Sequence, residues 1–181
     1  RAIVDPDVAM KITGKHNRTT FGLLVASDNA PGNFSEEEIN NPINFRVIER
    51  FVDKNAYIGV LRLRRDVGKE STIGFIGTSY NFIEKHNQVG GFDGRLKLDK
   101  ITTLSFQVLG TTSRGCFSDP FANLYRPAPT DPCYTGGQTR SFYRTGNGFA
   151  YTASYNKSGR HIFFDLNANG TTRDYRADVG F

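Results

Sequence analysis

The chain is expected to be all-β, an antiparallel up-and-down meander of short strands with no helical core. Segment after segment alternates apolar and polar side chains, the pattern of a strand with two unlike faces. The composition agrees: 15 Phe, 8 Tyr and 19 Gly, with one Met and no Trp, favour strands and turns over helices. The connections also switch between tight turns and long irregular segments.

Eight strands are read in order. Asp7–Gly14 puts Val8, Met10 and Ile12 on one face, and Thr19–Ser27 aligns Phe21, Leu23 and Val25. Tyr57–Asp66 sets Tyr57, Leu61 and Leu63 against Val60, Arg62 and Arg64, and Ser71–Tyr80 aligns Ile73 and Phe75. Gly91–Leu98 opposes Phe92, Leu96 and Leu98 to Asp93, Arg95 and Lys97, and Thr103–Thr111 opposes Leu104, Phe106 and Val108 to Ser105 and Gln107. Gly148–Asn156 carries Phe149, Tyr151, Ala153 and Tyr155 on one face, and His161–Asn169 opposes Ile162, Phe164 and Leu166 to Asp165 and Asn167. A ninth strand is expected near Tyr175.

Tight turns are read at Lys15–Arg18, Val67–Glu70, Asp99–Thr102 and Lys157–Arg160, each holding Gly, Asn or Asp. Between these hairpins lie long segments at Asp28–Ala56, Asn81–Gly90 and Thr112–Arg140, and a last connection at Gly170–Asp174. Short and long alternate, as in a meander whose two ends do different jobs. Within the first long loop, Asn44–Lys54 fits both a strand and a helical stripe through Ile43, Val47, Ile48 and Phe51. Counting it as a strand breaks the alternation of turns, so it is assigned to the loop.

At 181 residues the chain is long enough for one domain or one moderate barrel. Mean hydropathy is −0.45, and no run of apolar residues is long enough for a transmembrane helix. The net charge is +5, but bases and acids are interspersed and the densest basic cluster is only Arg62, Arg64, Arg65, so no nucleic-acid partner is expected. The chain starts at Arg1 without an initiator Met and stops at Phe181 inside what reads as a further strand. An excerpt of a longer protein, a partial barrel domain over residues 1–181, is therefore expected.

The alternation fits two environments. In a soluble sandwich or open barrel the apolar face packs inward; in a membrane barrel it faces lipid and the polar face lines the lumen. Strands of eight to ten residues approach the roughly nine to eleven of a tilted membrane crossing. The charges Arg62, Arg64, Asp93, Arg95, Lys97 and Asp165 suit a wet lumen. Tyr57, Tyr80, Tyr151 and Tyr155 near strand ends suit an aromatic girdle. The expectation is thus a transmembrane β-barrel with outer-membrane lipid as its partner; the alternative is a soluble β-protein binding carbohydrate through its long loops.

Several motifs carry a resemblance. Lys11-Ile12-Thr13-Gly14-Lys15, with Asp28-Asn29-Ala30-Pro31-Gly32, resembles the opening strands of a bacterial domain of unknown function that usually follows a family-nine-type carbohydrate-binding module. Arg64-Arg65-Asp66-Val67-Gly68-Lys69 is similar to its next hairpin, Gly91-Phe92-Asp93-Gly94-Arg95 to its third, and Ser158-Gly159-Arg160-His161 to its fourth. The closing Tyr175–Phe181 resembles the strand after that. The resemblance implies an outer-membrane-type barrel in a Gram-negative cell envelope, with a carbohydrate-binding module and earlier strands preceding Arg1. The Asn33–Lys54 segment and the cysteine-bearing loop depart from that pattern.

No catalytic or cofactor motif is present, and a non-enzymatic protein is expected. His16, His86 and His161 are not spaced as metal ligands with other donors. Asp93 and Asp165 are read as salt-bridge partners rather than an acid–base pair. Asp119 and Asp131, flanking the cysteines, are candidates for calcium. Cys116 and Cys133 share one Pro/Gly/Asp-rich stretch; paired, they would stabilise by about 3 kcal/mol, and unpaired thiols are the other reading. The same stretch offers Phe117, Phe121, Tyr125, Arg126 and Tyr134, which either stack on a glycan or fold inward and plug the barrel mouth.

Overall fold

A computed structural model of the chain describes residues 6–179. Eight strands form one sheet in sequence order: β1 (Pro6–His16), β2 (Thr19–Asp28), β3 (Ala56–Asp66), β4 (Thr72–Phe82), β5 (Lys85–Lys97), β6 (Thr102–Ser118), β7 (Ser141–Ser158) and β8 (Phe163–Thr171). Every neighbouring pair is antiparallel. The sheet is open: β1 pairs only with β2, and β8 only with β7. Two short helices, α1 (Glu36–Asn40) and α2 (Pro42–Ile48), sit in the β2–β3 connection. The ambiguous Asn44–Lys54 stretch therefore lies outside the sheet, partly as helix. Ser35 opens α1 with a capping box, exchanging hydrogen bonds with Glu38.

One register line shows how the sheet sorts its side chains. Gly14, Phe21, Leu63, Phe75, Phe92, Val108, Tyr151 and Gly170 are cross-strand partners through all eight strands. One residue away on each strand runs Lys15, Thr20, Arg64, Gly74, Asp93, Gln107, Thr152 and Asn169, also in register. Because successive residues point to opposite faces, the first row belongs to an apolar outer face and the second to a polar inner face. On the outer face Phe92 is 58% exposed and Val8 68%. Outer apolar residues on β7 run from Phe149 to Tyr155, about 20 Å along the strand at roughly 3.4 Å per residue. Outward rings lie over glycines of the next strand; a Cβ on Gly94 would come 2.6 Å from the Phe106 ring. Among the described residues no second sheet packs on either face.

The small core is on the inner face: Val89, Leu109 and Ala150, joined by Ile76, Tyr175 and Ala177. Tyr175 and Ala177 belong to residues 172–179, which turn back after β8 instead of forming the expected ninth strand. Gly180 and Phe181, included in that expectation, lie outside the described residues. Asn87, fully buried, holds this segment: it donates to the Arg176 carbonyl (2.9 Å) and accepts from the Asp178 amide (3.0 Å). A bent strap tied to inward side chains cannot also pair along the edge of β8.

Three further expectations are corrected. The connection over Asn81–Gly90 is not long: β4 runs to Phe82 and β5 starts at Lys85, leaving a tight turn at Ile83 and Glu84. Ile83 takes φ 43°, a left-handed conformation that β-branched residues resist, so the turn lacks the usual Gly or Asn signal. Short and long connections consequently do not alternate strictly, although the opposite end of the sheet carries tight turns only. The second long loop is shorter than 112–140, because β6 extends to Ser118 and β7 begins at Ser141. Finally, Tyr80 pairs with Ile58 and Asn87 on the inner face and leaves the expected girdle.

Candidate functional site

The inner face brings together all six charged residues expected to share it. Arg62 and Arg64 lie on β3, Asp93, Arg95 and Lys97 on β5, and Asp165 on β8. Arg62 reaches across β4 to clasp both Asp93 oxygens, one at 2.8 Å and the other by a still shorter bond from its second nitrogen. The bridging strand carries Gly74 beneath this pair, where a Cβ would sit 2.7 Å from the carboxylate and 2.8 Å from the guanidinium. Lys15 pairs with Asp66 at 3.1 Å, and Lys97 lies 4.0 Å from Glu70. Asp165 takes hydrogen bonds from Asn156 (3.0 Å) and Asn167. Asp93 and Asp165 thus each have separate partners and form no acid–base pair.

The end of the sheet bearing the long connections is closed differently. Arg176 in the strap lies 3.6 Å from the Phe117 ring centroid and Arg144 4.3 Å from it, so two cations share one aromatic ring. Arg176 also donates to the Cys116 carbonyl at 3.2 Å, and Lys85 pairs with Asp178 at 3.3 Å. Arg144 grips Asp174 through two bonds of 2.8 Å, which hold this carboxyl below its ordinary range. In α1, the Ser35 backbone amide and hydroxyl likewise lower Glu38.

Beside the strap is a cavity of about 420 Å³, walled by Phe51, Phe82, Tyr143 and Pro132 and rimmed by Glu84, Lys85 and Arg176. Phe51 and Phe82 stack with centroids 5.7 Å apart. Arg50 lies over Phe51 at 4.7 Å, pairs with Glu84 at 3.2 Å and donates to the Pro132 carbonyl at 3.0 Å. These residues come from three separate connections, three strands and the strap. No local spacing in the sequence marks them, and only the meander brings them together.

The expected ligand loop does not converge on one site. Phe117 is buried on β6, whereas Phe121 is 91% exposed. Tyr125 stacks on Phe142 at 5.1 Å and donates to the Ser141 carbonyl at 2.7 Å. Tyr134 is half-buried, with its amide bonded to the Asp131 carbonyl, and Arg126 is exposed. Cys116 and Cys133 are joined, with Cα atoms 5.6 Å apart, tying the loop to β6. Asp131 accepts from the Cys133 amide, and Asp119 accepts from the Phe121 amide and pairs with Arg173 at 3.4 Å. Among the described residues no group of three or more His, Cys, Asp or Glu is placed to hold a metal, and no helix is long and apolar enough to cross a membrane, which bears on helices alone. No protein-family model matches the chain, and no curated protein or solved structure is detectably similar to it.

Proposed function

We propose that the chain is a wall segment of a transmembrane β-barrel in a Gram-negative outer membrane, non-enzymatic, with lipid against its outer face. The carrying observation is the apolar outer row, which runs in register through all eight strands while its one-residue neighbours are polar. A water-soluble protein rarely leaves so wide an apolar face uncovered. A bilayer covers it, and the outer apolar residues of β7 run about 20 Å along the strand, against an apolar band of about 25 Å on such barrels.

The inner face, lined by Thr, Ser, Asn and paired charges, then lines an aqueous lumen. The open edges of β1 and β8 are where further strands would continue the wall, since a spanning sheet must leave no edge in lipid. The resemblance noted in the turn and strand motifs belongs to the same reading. Association with glycan rests on that resemblance, and the aromatic cavity at the loop end is the best place for such a ligand. Vesicle flotation tests the membrane assignment: the full chain should co-float with liposomes and need detergent to stay dispersed. A monodisperse monomer in plain buffer overturns it.

A further inference from the structure

The fold gathers at one end basic residues that are scattered along the sequence. The turns after β1, β3, β5 and β7, with two strand residues on either side of each, hold eight basic side chains against three acidic ones, Asp66, Glu70 and Asp99. The connections at the other end and the strap, counted the same way, hold eight basic against eleven acidic. Lys15 pairs with Asp66 at 3.1 Å, and Lys97 lies 4.0 Å from Glu70. Asp99 accepts from the Ile101 amide and the Thr102 hydroxyl, with Lys157 acting on it through space. Among the described residues, Arg18, Arg65, Lys69, Lys100, Lys157 and Arg160 have no carboxylate within 4.0 Å.

These free bases border the apolar outer face. Arg65 follows Leu63 on the outer face of β3, and Lys157 follows Tyr155 on that of β7. In register, the partner of Arg65 on β7 is Ala153, so Lys157 lies four residues nearer the turns. Four residues are about 13 Å along a strand, and four strand spacings are about 19 Å across the sheet. The border therefore slopes by about 35°, and strands tilted to that degree, as in membrane barrels, bring both bases to one level. Leu98, Ile101 and Ile162 are apolar and exposed in the same turns. Arg18 and Arg65 also share a cleft of about 790 Å³ with His16, Asn17, Thr19 and Phe21. Thr19 is the cross-strand partner of Arg65, and the Arg18 carbonyl accepts from the Asp66 amide at 2.8 Å, so both arginines are held beside one turn.

We propose that the tight-turn end docks on anionic phospholipid headgroups, with the cleft between Arg18 and Arg65 seating a lipid phosphate at the edge of the bilayer. The placement of this end against a bilayer rests on the membrane reading above. Arginine meets a phosphate with forked, charge-assisted hydrogen bonds, and each further base near the surface adds attraction to anionic lipid. Apolar side chains among the bases enter the interface beside the headgroups. The opposite end, with its excess of acids, lacks that complementarity.

Flotation of the full chain with vesicles of phosphatidylcholine alone, or of phosphatidylcholine with phosphatidylglycerol, at one ionic strength, provides the test. Anionic lipid should raise partitioning about tenfold or more. Arg18→Gln, Arg65→Gln and Arg160→Gln together should remove most of that gain. Arg46→Gln, Lys54→Gln and Arg140→Gln, the same charge change at the other end, should keep it. Should the first triple variant not fold, the single exposed-turn variant Lys100→Glu should still lower the gain several-fold, and Lys54→Glu should not. Equal loss from variants at the two ends overturns the proposal. A chain that floats with both vesicle types and gains nothing from phosphatidylglycerol sinks the headgroup surface and leaves the membrane reading standing. A chain that floats only with anionic vesicles, through the turn-end bases, keeps the headgroup surface and sinks the spanning barrel; one that floats with neither sinks both.

Discussion

Arg62 and Asp93 clasp each other across an intervening strand, and Gly74 on that strand is what lets them meet. The pair sits on the polar face with side chains 37% and 25% exposed, so water screens it substantially. Asp93→Asn should therefore cost only about 1 kcal/mol. Gly74→Val should cost more than Asp93→Asn, because its side chain displaces both partners at once. Denaturant unfolding of the two variants in the same detergent checks the order, and a harmless Gly74→Val would mean the pair forms elsewhere.

The two faces predict opposite tolerance to charge. Val108→Arg, in the centre of the apolar row, should lower folding stability in bilayers by about 2–4 kcal/mol. Thr152→Arg, at the same level on the inner face, should cost well under 1 kcal/mol. Folding titrations into lipid vesicles measure both; equal penalties would mean that the faces are not distinguished by lipid.

Ile83 occupies a left-handed turn position with its side chain partly exposed. Relieving that conformation with Ile83→Asn should raise stability by about 1 kcal/mol. An unchanged or lower midpoint in a denaturant series would show that the isoleucine contributes packing that offsets its backbone strain.

The strap responds to acid through Asp174. Its carboxyl is held low by Arg144, so the folded state prefers the ionised form. The stabilising contribution is full above the ordinary aspartate range, begins to fall as pH drops through that range, and is lost once pH passes below the depressed folded value. Hydrogen exchange at residues 172–179 should speed up over that acidic window, and Asp174→Asn should remove the pH dependence while leaving the strands protected.

Much of the fold was legible in the sequence because its period-two pattern is clean where one face is apolar. The period-two pattern already places Phe92, Val108 and Tyr151 on one face and Arg62, Arg64, Asp93, Arg95, Lys97 and Asp165 on the other. The errors arose where local chemistry departs from pattern. Ile83 makes a turn without a turn residue, and Asn87 captures the strap by two hydrogen bonds that no local spacing announces. β6 and β7 continue past the apolar band as a polar, glycine-containing hairpin, so alternation fades while pairing persists through Ser118 and Ser141. The cavity around Phe51, Phe82 and Tyr143 joins segments distant in sequence, and is visible only once the meander is folded.

The central claim is that the outer face meets lipid, and the absence of tryptophan from the chain makes a direct measurement simple. Single variants Phe92→Trp and Phe164→Trp on the outer face, and Thr152→Trp on the inner face, would be folded into vesicles whose acyl chains carry bromine quenchers. Strong quenching of the two outer tryptophans with little at position 152 is the predicted result. Quenching at position 152 equal to or greater than at 92 and 164, or no quenching at any of them, would contradict it.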